Sequence, residues 1–188
     1  MPDELEVKAV LPDAEALRAR LLAAGAVTRF RGRMRDRRYD RAGELAARDE
    51  VLRVRRYHDA EGRVTAVLGW KGPATHSADG YKQRAEIELP IAAGADAGAD
   101  ALLTSLGYEV VHAIDREVEM YQLGQATVRV ERYPKMDTLL EVEGEPAAIE
   151  QAIAASGIPR AEFTAEPLAE FVRRFEARVG EAAVLAEP

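Results

Sequence analysis

The sequence predicts an α+β fold built mainly from antiparallel β-strands, with helices inserted between some of them. Charged and apolar residues alternate along most strand-like segments, which is the period-two pattern of a strand with one apolar face. Glycine and proline separate several of these segments. Near the chain ends, two segments instead show an apolar face at helical spacing.

The composition limits the classes of function. The 188 residues suit one domain, which we assign to residues 1–179, with residues 180–188 as a flexible tail. Because the chain has no cysteine, disulfides, thiolate zinc sites, iron–sulfur clusters and cysteine nucleophiles are excluded. The net charge of −7 argues against nucleic acid as a partner. No secretory signal or long apolar run is found, so a cytoplasmic protein without membrane contact is expected.

The N-terminal half is predicted to contain five strands and one helix. Residues 4–11 alternate charged and apolar side chains and are interpreted as a strand. Asp13 is a suitable N-cap for the helix, Leu17 and Leu21 give it an apolar face, and Gly25 ends it. The further strands of this half are predicted at residues 28–40, 51–58, 63–72 and 84–91.

The C-terminal half is predicted to contain three strands and three helices. The stretch 92–100, rich in Ala, Gly and Asp, is interpreted as a loop before a short helix that ends near Leu106. Pro146 suits the first turn of a helix that runs to about Ser156. Residues 168–179 are amphipathic and form the last helix. The remaining strands are predicted at residues 108–121, 126–133 and 138–144.

Strand parity sorts the charged side chains, because residues two apart on a strand share a face. On one strand after another the charged residues fall on a single face, opposite apolar residues. These faces are formed by Glu4, Glu6 and Lys8; Arg53 and Arg55; Lys71; Arg84, Glu86 and Glu88; Arg129 and Glu131; and Glu141 and Glu143. A sheet with its charged face in water would show the same alternation. Arginine and glutamate dominate here, however, whereas solvent faces usually mix in Ser, Thr, Gln and Lys.

The two residue types indicate one kind of ligand. Arginine binds phosphate through paired hydrogen bonds, and adjacent glutamates supply the oxygen ligands that Mg²⁺ and Mn²⁺ prefer. A metal-bound polyphosphate needs both. Tyr57 and Tyr133 share the phase of the charged residues and are candidates to contact an organic part of the substrate. The basic run from Arg29 to Arg38 is interpreted as a solvated strand, or as a tunnel mouth that attracts anions.

Five motifs resemble, in order, those of the CYTH domain family, also called the triphosphate tunnel metalloenzymes. They are Glu4-Leu5-Glu6-Val7-Lys8, Leu52-Arg53-Val54-Arg55-Arg56, Trp70-Lys71-Gly72-Pro73, Arg84-Ala85-Glu86-Ile87-Glu88 and Leu140-Glu141-Val142-Glu143. The resemblance covers almost the whole chain. The family includes class IV adenylyl cyclases, thiamine triphosphatases and inorganic triphosphatases. The layout around Leu106-Gly107-Tyr108 and Arg116 is most similar to the cyclase branch.

The resemblance implies a fold and a set of site residues. The fold is a closed eight-stranded antiparallel β-barrel, or tunnel, with helices packed outside. The implied metal ligands are Glu4, Glu6, Glu131, Glu141 and Glu143. The implied phosphate-binding residues are Lys8, Arg53, Arg55, Lys71, Arg84 and Arg116, to which strand parity adds Arg129. Lys71 and Lys8 are the implied catalytic residues. Mg²⁺ or Mn²⁺ is the implied cofactor.

Three positions depart from the family pattern. Arg38 stands where the family often has a tyrosine, which in some hydrolases is thought to pair with the lysine matching Lys71 and to activate water. Tyr39 is one residue away and therefore on the other face, unless a bulge corrects the phase. Val118 stands where the cyclase branch commonly has an arginine, and Asp137 where a glycine usually precedes the closing strand.

The expected function is that of a metal-dependent triphosphatase acting on tripolyphosphate, thiamine triphosphate or a nucleoside triphosphate. The alternatives are a class IV adenylyl cyclase, which forms cyclic AMP and pyrophosphate from ATP, and a non-catalytic nucleotide- or polyphosphate-binding module. Hydrolysis is preferred because no adenosine pocket can be identified in the sequence. The expected partner is a triphosphate-containing small molecule. A homodimer is expected if the helices leave outer apolar faces of the barrel uncovered.

Overall fold

A computed structural model describes residues 3–77 and 80–187 of the chain, apart from the side chains of residues 3 and 4. The strands are β1 (Asp3–Val10), β2 (Val27–Asp40), β3 (Val51–Asp59), β4 (Val64–Lys71), β5 (Thr75–His76), β6 (Lys82–Ile91), β7 (Glu109–Leu123), β8 (Ala126–Arg132) and β9 (Leu139–Glu143). The helices are α1 (Ala14–Ala23), α2 (Asp96–Ser105), α3 (Pro146–Ser156) and α4 (Leu168–Val179).

All nine strands belong to one antiparallel sheet, in the order β1-β9-β8-β7-β2-β3-β4-β6-β5. The sheet closes because β1 also pairs with β6, with Glu6 opposite Lys82 and Glu4 opposite Arg84. The two-residue β5 pairs with the start of β6 and is an addition to the closed ring. The expected eight-stranded antiparallel barrel is therefore confirmed.

The helix signals read from the sequence are confirmed at α1 and α3. The side chain of Asp13 accepts hydrogen bonds from the backbone N–H groups of Glu15 and Ala16, so Asp13 is the N-cap of α1. Pro146 lies in the first turn of α3, where its missing N–H costs no helical hydrogen bond.

The loop predicted at residues 92–100 is wrong for its second half, because α2 begins at Asp96. The guanidinium of Arg56 on β3 donates to Asp96 at 2.7 Å and also binds Asp100. Asp100 in turn accepts from the hydroxyl of Tyr39 at 2.6 Å. These contacts to the barrel hold the first turns of α2, and the local Ala and Gly content gave no sign of them.

Three hydrophobic clusters join the helices to the barrel. The largest contains Leu17 and Leu21 of α1, Ile149 and Ile153 of α3, and the outward apolar side chains of β1, β7, β8 and β9. A second cluster joins Leu103 of α2 to the outer face of β2 and β3. These three helices therefore pack against parts of the outer face of the barrel.

Helix α4 is placed differently. Phe171 packs with Ile114 on β7, Leu139 on β9 and Tyr133, which directly follows β8; each lies two residues from an inward-facing charged residue. Leu168 packs against the same cluster. Helix α4 therefore covers one end of the barrel interior.

The tail from Gly180, predicted to be flexible, makes defined contacts in the structure. Val184 pairs with Lys135 as an isolated β-bridge, and the carbonyl of Leu185 accepts from the N–H of Asp115 at 2.7 Å. Flexibility of the tail stays a prediction about motion. On the outer face of β6, Ile87 and Leu89 are exposed, which is where an apolar dimer contact would be sought. Within the described residues, no helix is both long and apolar enough to cross a membrane.

Candidate functional site

A cavity of about 400 Å³ lies inside the barrel, beside the first residues of α4. All seven of the predicted phosphate-binding residues line it: Lys8, Arg53, Arg55, Lys71, Arg84, Arg116 and Arg129. They come from six different strands. The alternation that places apolar residues against the outer helices therefore turns these cations inward.

Asp36 on β2 organises three of the inner arginines. Its side chain is fully buried, and its Oδ2 atom lies 3.2 Å from Arg55 and 3.6 Å from Arg116. Burial raises the pKa of Asp36, but the charges of Arg55 and of Arg53 and Arg116 outweigh burial and hold the pKa well below its usual range. The carboxylate is therefore ionised and holds the surrounding guanidinium groups in place.

Several inner arginines have a buried donor atom without a hydrogen bond to the described residues. The Nε atoms of Arg53, Arg55 and Arg129 are buried and make no hydrogen bond with any residue that the structure describes. Buried polar atoms are normally hydrogen-bonded, so an unpaired donor in a cavity indicates a place for a ligand or water. Cationic donors of this kind suit the oxygens of a phosphate group.

Three glutamates form an acidic group beside the basic residues. Glu6, Glu141 and Glu143 each place one carboxylate oxygen within 4.8 Å of the others. The Nζ atom of Lys8 lies 3.0 Å from Glu6 and 2.5 Å from Glu141. Arg129 contacts Glu141 and lies 3.1 Å from Glu143.

The acidic group fits a hard divalent cation. Burial raises the pKa of Glu141, but Lys8 and Arg129 outweigh burial and hold that pKa well below its usual range. Ionised carboxylates that converge in this way are the ligands that Mg²⁺ and Mn²⁺ prefer. In the structure, side-chain cations of the protein balance their charge.

Two predicted metal ligands stand apart from this group. Glu131 is buried and accepts a 2.6 Å hydrogen bond from Tyr133, while Arg116 lies 3.4 Å from its other oxygen. Among the described side chains, Glu131 is not part of the converging acidic group. Glu4 lies on β1, but its side chain is outside the part that the structure describes.

The predicted catalytic lysines lie on different sides of the cavity. Lys8 contacts two carboxylates of the acidic group. Lys71 lies at the end of β4, 3.3 Å from Glu86, and Glu86 also accepts a hydrogen bond from Arg53 at 2.7 Å. Tyr39 lies on the outer face, where it is buried against α2, despite a register shift between Arg38 and Tyr39. The structure therefore does not bring Tyr39 to Lys71, and Arg38 lines the cavity instead.

The sequence prediction missed two residues of the site. Lys82 at the start of β6 lines the cavity and contacts Glu6, because barrel closure places the two opposite each other. Asp36 is not among the predicted site residues. Its alternation with Met34 and Arg38 on β2 is the signal that places it inside. Of the two candidate tyrosines, Tyr133 lines the cavity, and Tyr57 packs edge-on against Phe30 at a centroid distance of 5.3 Å.

The other departures from the family pattern have structural counterparts. Val118 is buried and lies opposite Glu131, so an apolar side chain occupies this inward position. Asp137 accepts from Arg178 of α4 at 2.6 Å, which ties the turn before β9 to the helix.

Arg84, a predicted phosphate-binding residue, donates from Nε to the carbonyl of Gly72 and also contacts Asp49.

Known structures with this fold include proteins of several organisms. A proposed adenylate cyclase of Vibrio parahaemolyticus is 16% identical, with a TM-score of 0.74, and the match covers 90% of this chain and 97% of that one. A Pyrococcus horikoshii OT3 protein is 21% identical, with a TM-score of 0.72 and coverages of 91% and 98%. A proposed adenylyl cyclase of Hippeastrum, described as having a dominant triphosphatase activity, is 17% identical, with a TM-score of 0.63 and full coverage of both chains at 100%.

Sequence comparison identifies the family. No curated protein matches the chain. A family model described as the CYTH domain matches residues 3–159, which is most of the 188-residue chain. The chain therefore belongs to the CYTH domain family.

Proposed function

We propose that this protein is a triphosphatase that requires Mg²⁺ or Mn²⁺ and hydrolyses tripolyphosphate, thiamine triphosphate or a nucleoside triphosphate. One observation carries the proposal. Nine cationic side chains line one cavity of about 400 Å³, together with Glu6 and Glu141 of the convergent group of three carboxylates. Family membership and the triphosphatase activity described for the Hippeastrum protein support it.

The acidic and basic residues have separate proposed roles. Glu6, Glu141 and Glu143 would hold the metal, with Glu4 and Glu131 as further proposed ligands. A bound divalent cation supplies Lewis-acid polarisation of phosphoryl oxygens. The basic residues neutralise the remaining phosphate charge and stabilise the charge that develops during phosphoryl transfer. Arg53, Arg55 and Arg129 carry the unpaired donors that suit this role.

Lys8 and Lys71 are proposed to act on the reacting phosphoryl group. Lys8 links the acidic group to the phosphate-binding arginines, since its ammonium contacts Glu6 and Glu141. Lys71 lies at the cavity wall beside Glu86. Because Tyr39 faces α2, activation of water by a tyrosine–lysine pair is not part of the proposal. The lysines stabilise the attacked phosphoryl group by charge.

A class IV adenylyl cyclase is the second candidate. Tyr133 supports it, because an aromatic ring at the cavity wall suits contact with a nucleoside. In that reaction the ribose 3′-hydroxyl attacks the α-phosphorus, and the arginines bind the pyrophosphate leaving group. The buried Val118 argues against it, since the cyclase branch commonly has an arginine there.

Product analysis separates the candidates. The protein is incubated with ATP and with tripolyphosphate, each with Mg²⁺ or Mn²⁺, and the products are resolved by ion-exchange chromatography. Orthophosphate supports the triphosphatase, and cyclic AMP with pyrophosphate supports the cyclase. Metal-dependent binding without turnover supports a non-catalytic module and contradicts both enzymatic candidates.

Adjacent arginines on β3 provide a matched pair of variants. Arg55 lines the cavity, whereas Arg56 points to the outer face and binds Asp96 and Asp100. We expect Arg55→Gln to lower kcat/KM about 100-fold, and Arg56→Gln to keep the activity of a folded protein. Equal loss in both variants would contradict the assigned cavity.

A further inference from the structure

The outer face of β2 carries a row of arginines that the tunnel does not use. Arg31, Arg33, Arg35 and Arg37 occupy alternate positions of the strand. Asp36 between them contacts Arg55 inside the barrel, so the four arginines face outward. They extend over roughly 20 Å of the sheet at the usual rise of a strand. Arg29 precedes them at a register shift and is not counted.

A groove of about 1020 Å³ runs along this face, and we call it the outer arginine groove. The arginines that line it are Arg18 of α1, Arg31, Arg33 and Arg35 of β2, and Arg132 of β8. The acidic residues that line it are Glu15, Asp59, Glu117 and Glu119. None of the inner phosphate-binding residues contributes to it, so the groove is separate from the cavity.

One buried carboxylate fixes three of these arginines. Glu119 accepts from Arg18 at 2.8 Å, from Arg132 at 2.9 Å and from Arg31 at 3.2 Å. Three positive charges against one negative charge leave two in excess at this point. Glu15 also contacts Arg18, but its side chain is 77% exposed and water screens the pair. The three guanidinium groups are therefore held in place, and across the whole lining five arginines face four carboxylates.

An ion-pair ladder that only stabilises the sheet would explain part of this face. Arg33 pairs with Glu117 at 3.3 Å and Arg37 with Asp115 at 2.7 Å, each across to β7. Arg35 does not fit such a ladder: it is exposed, and no acidic group of a described residue lies within ion-pair distance of it. Arg33 also binds Glu187 of the tail at 3.0 Å, so an anion from outside the sheet is already seated here.

The lining points to the class of anion. His58 carries the one ring among the described residues that line the groove, so successive bases of a nucleic acid would find no second ring to stack on. Linear condensed phosphate carries charge on every unit and has no bases. We propose that the outer arginine groove binds linear inorganic polyphosphate, as a second site for the phosphate chemistry proposed for the tunnel.

Binding of end-labelled long-chain polyphosphate, followed by fluorescence anisotropy, tests this site. Each protein is measured with and without the tunnel substitution Arg55→Gln, so that binding in the tunnel can be subtracted. We expect Arg31→Gln/Arg33→Gln/Arg35→Gln to weaken binding by about 10-fold or more and to reduce its salt dependence. The control Arg160→Gln/Arg173→Gln/Arg178→Gln removes the same charge from other partly exposed arginines and should bind within about 2-fold of the unmodified protein.

The outcomes decide between a specific groove, general charge and nucleic acid. Equal loss in both triple variants, or no loss in the groove variant, would overturn the inference. Single-stranded RNA that binds the groove more tightly than polyphosphate would overturn it as well. If the groove variant does not fold, Arg35→Gln replaces it, with an expected loss of about 3-fold.

The inference rests on the proposed triphosphatase function of the tunnel, and the same variants test the two separately. Tripolyphosphate hydrolysis is expected to be unchanged in the groove variant. An unmodified protein that binds polyphosphate through the groove but hydrolyses no triphosphate would remove the proposed activity and support the groove. A protein that hydrolyses tripolyphosphate, but whose polyphosphate binding is the same in the groove variant, would support the proposed activity and overturn the groove.

Discussion

At the scale of single residues, Glu119 links charge to stability. Burial raises its pKa, but hydrogen bonds from Arg18, Tyr121 and Arg132 outweigh burial and lower the pKa from 4.5 to about 2. A depressed pKa stabilises the fold above the unfolded-state value, and this contribution is lost as the pH falls from about 4.5 through about 2. Glu119→Gln should therefore destabilise the protein at pH 7 by roughly 2 kcal/mol.

The measurement is urea denaturation of both proteins between pH 7 and pH 2.5. We expect the two free energies of unfolding to converge as the pH falls, because the unmodified protein loses the contribution of the carboxylate. Glu117→Gln is the control, since its side chain is 56% exposed and should change stability little at any pH. A difference between Glu119→Gln and the unmodified protein that stays constant with pH would contradict an electrostatic origin.

Arg38 is a second residue whose role can be isolated. It lines the cavity where many relatives of the family have a tyrosine, and its buried Nε makes no hydrogen bond with the described residues. Burial lowers the pKa of Arg38, and repulsion from Arg53 and Arg116 adds to this, against the attraction of Asp36. A side chain held at such a cost suggests a role toward an anionic ligand.

Replacing this charge should separate binding from stability. We expect Arg38→Met to raise KM for tripolyphosphate about 10-fold and to increase the free energy of unfolding by about 1 kcal/mol, because the like charges around it are relieved. Steady-state kinetics and urea denaturation measure the two effects on the same preparation. A variant that is less stable with unchanged KM would show that Arg38 serves the fold and not the ligand.

At the scale of elements, α4 can be tested through the two neighbouring residues Phe171 and Val172. Phe171 is 3% exposed and packs against the end of the barrel interior, whereas Val172 is only partly buried. Phe171→Ala should cost about 3–4 kcal/mol of stability and Val172→Ala less than about 1 kcal/mol. Because Tyr133 at the cavity wall packs on Phe171, we also expect kcat/KM to fall in Phe171→Ala under conditions where it is folded. Denaturation and kinetics at low temperature provide the comparison.

Most elements could be predicted because their signals are local. Alternation of charged and apolar residues identifies eight strands. It also identifies the inward residues from Lys8 to Glu141, because once one side chain of a strand is assigned to a face, the period of two assigns the others. The start of α2 could not be predicted in this way, because contacts from Arg56 and Tyr39 decide it. The orientation of α4 is of the same kind: its amphipathic pattern showed an apolar face but not which surface that face would cover.

At the scale of the whole molecule, closure of the barrel creates contacts that no segment contains. Lys82 meets Glu6 only because β6 pairs with β1 across 76 positions of sequence. Likewise, the acidic group combines Glu6 near the N-terminus with Glu141 and Glu143 on β9. Such a site depends on register between distant strands, so motif order could suggest its members but not which of them converge. Glu131 and Tyr39 show this limit: Glu131 is not part of the converging acidic group, and Tyr39 packs against α2 and not beside Lys71.

Closure also concentrates like charges, and this predicts how a ligand changes the stability of the whole protein. Nine cations line the cavity and four carboxylates of described residues only partly offset them, so a bound triphosphate should relieve repulsion in the folded state alone. At 100 times Kd, tripolyphosphate with Mg²⁺ should add about 2.7 kcal/mol, or roughly 6–10 °C in Tm. Differential scanning calorimetry with Arg55→Gln and Arg56→Gln provides the contrast, because only the first removes a cavity cation. A Tm increase of equal size in both variants would place the stabilising ligand outside the barrel interior.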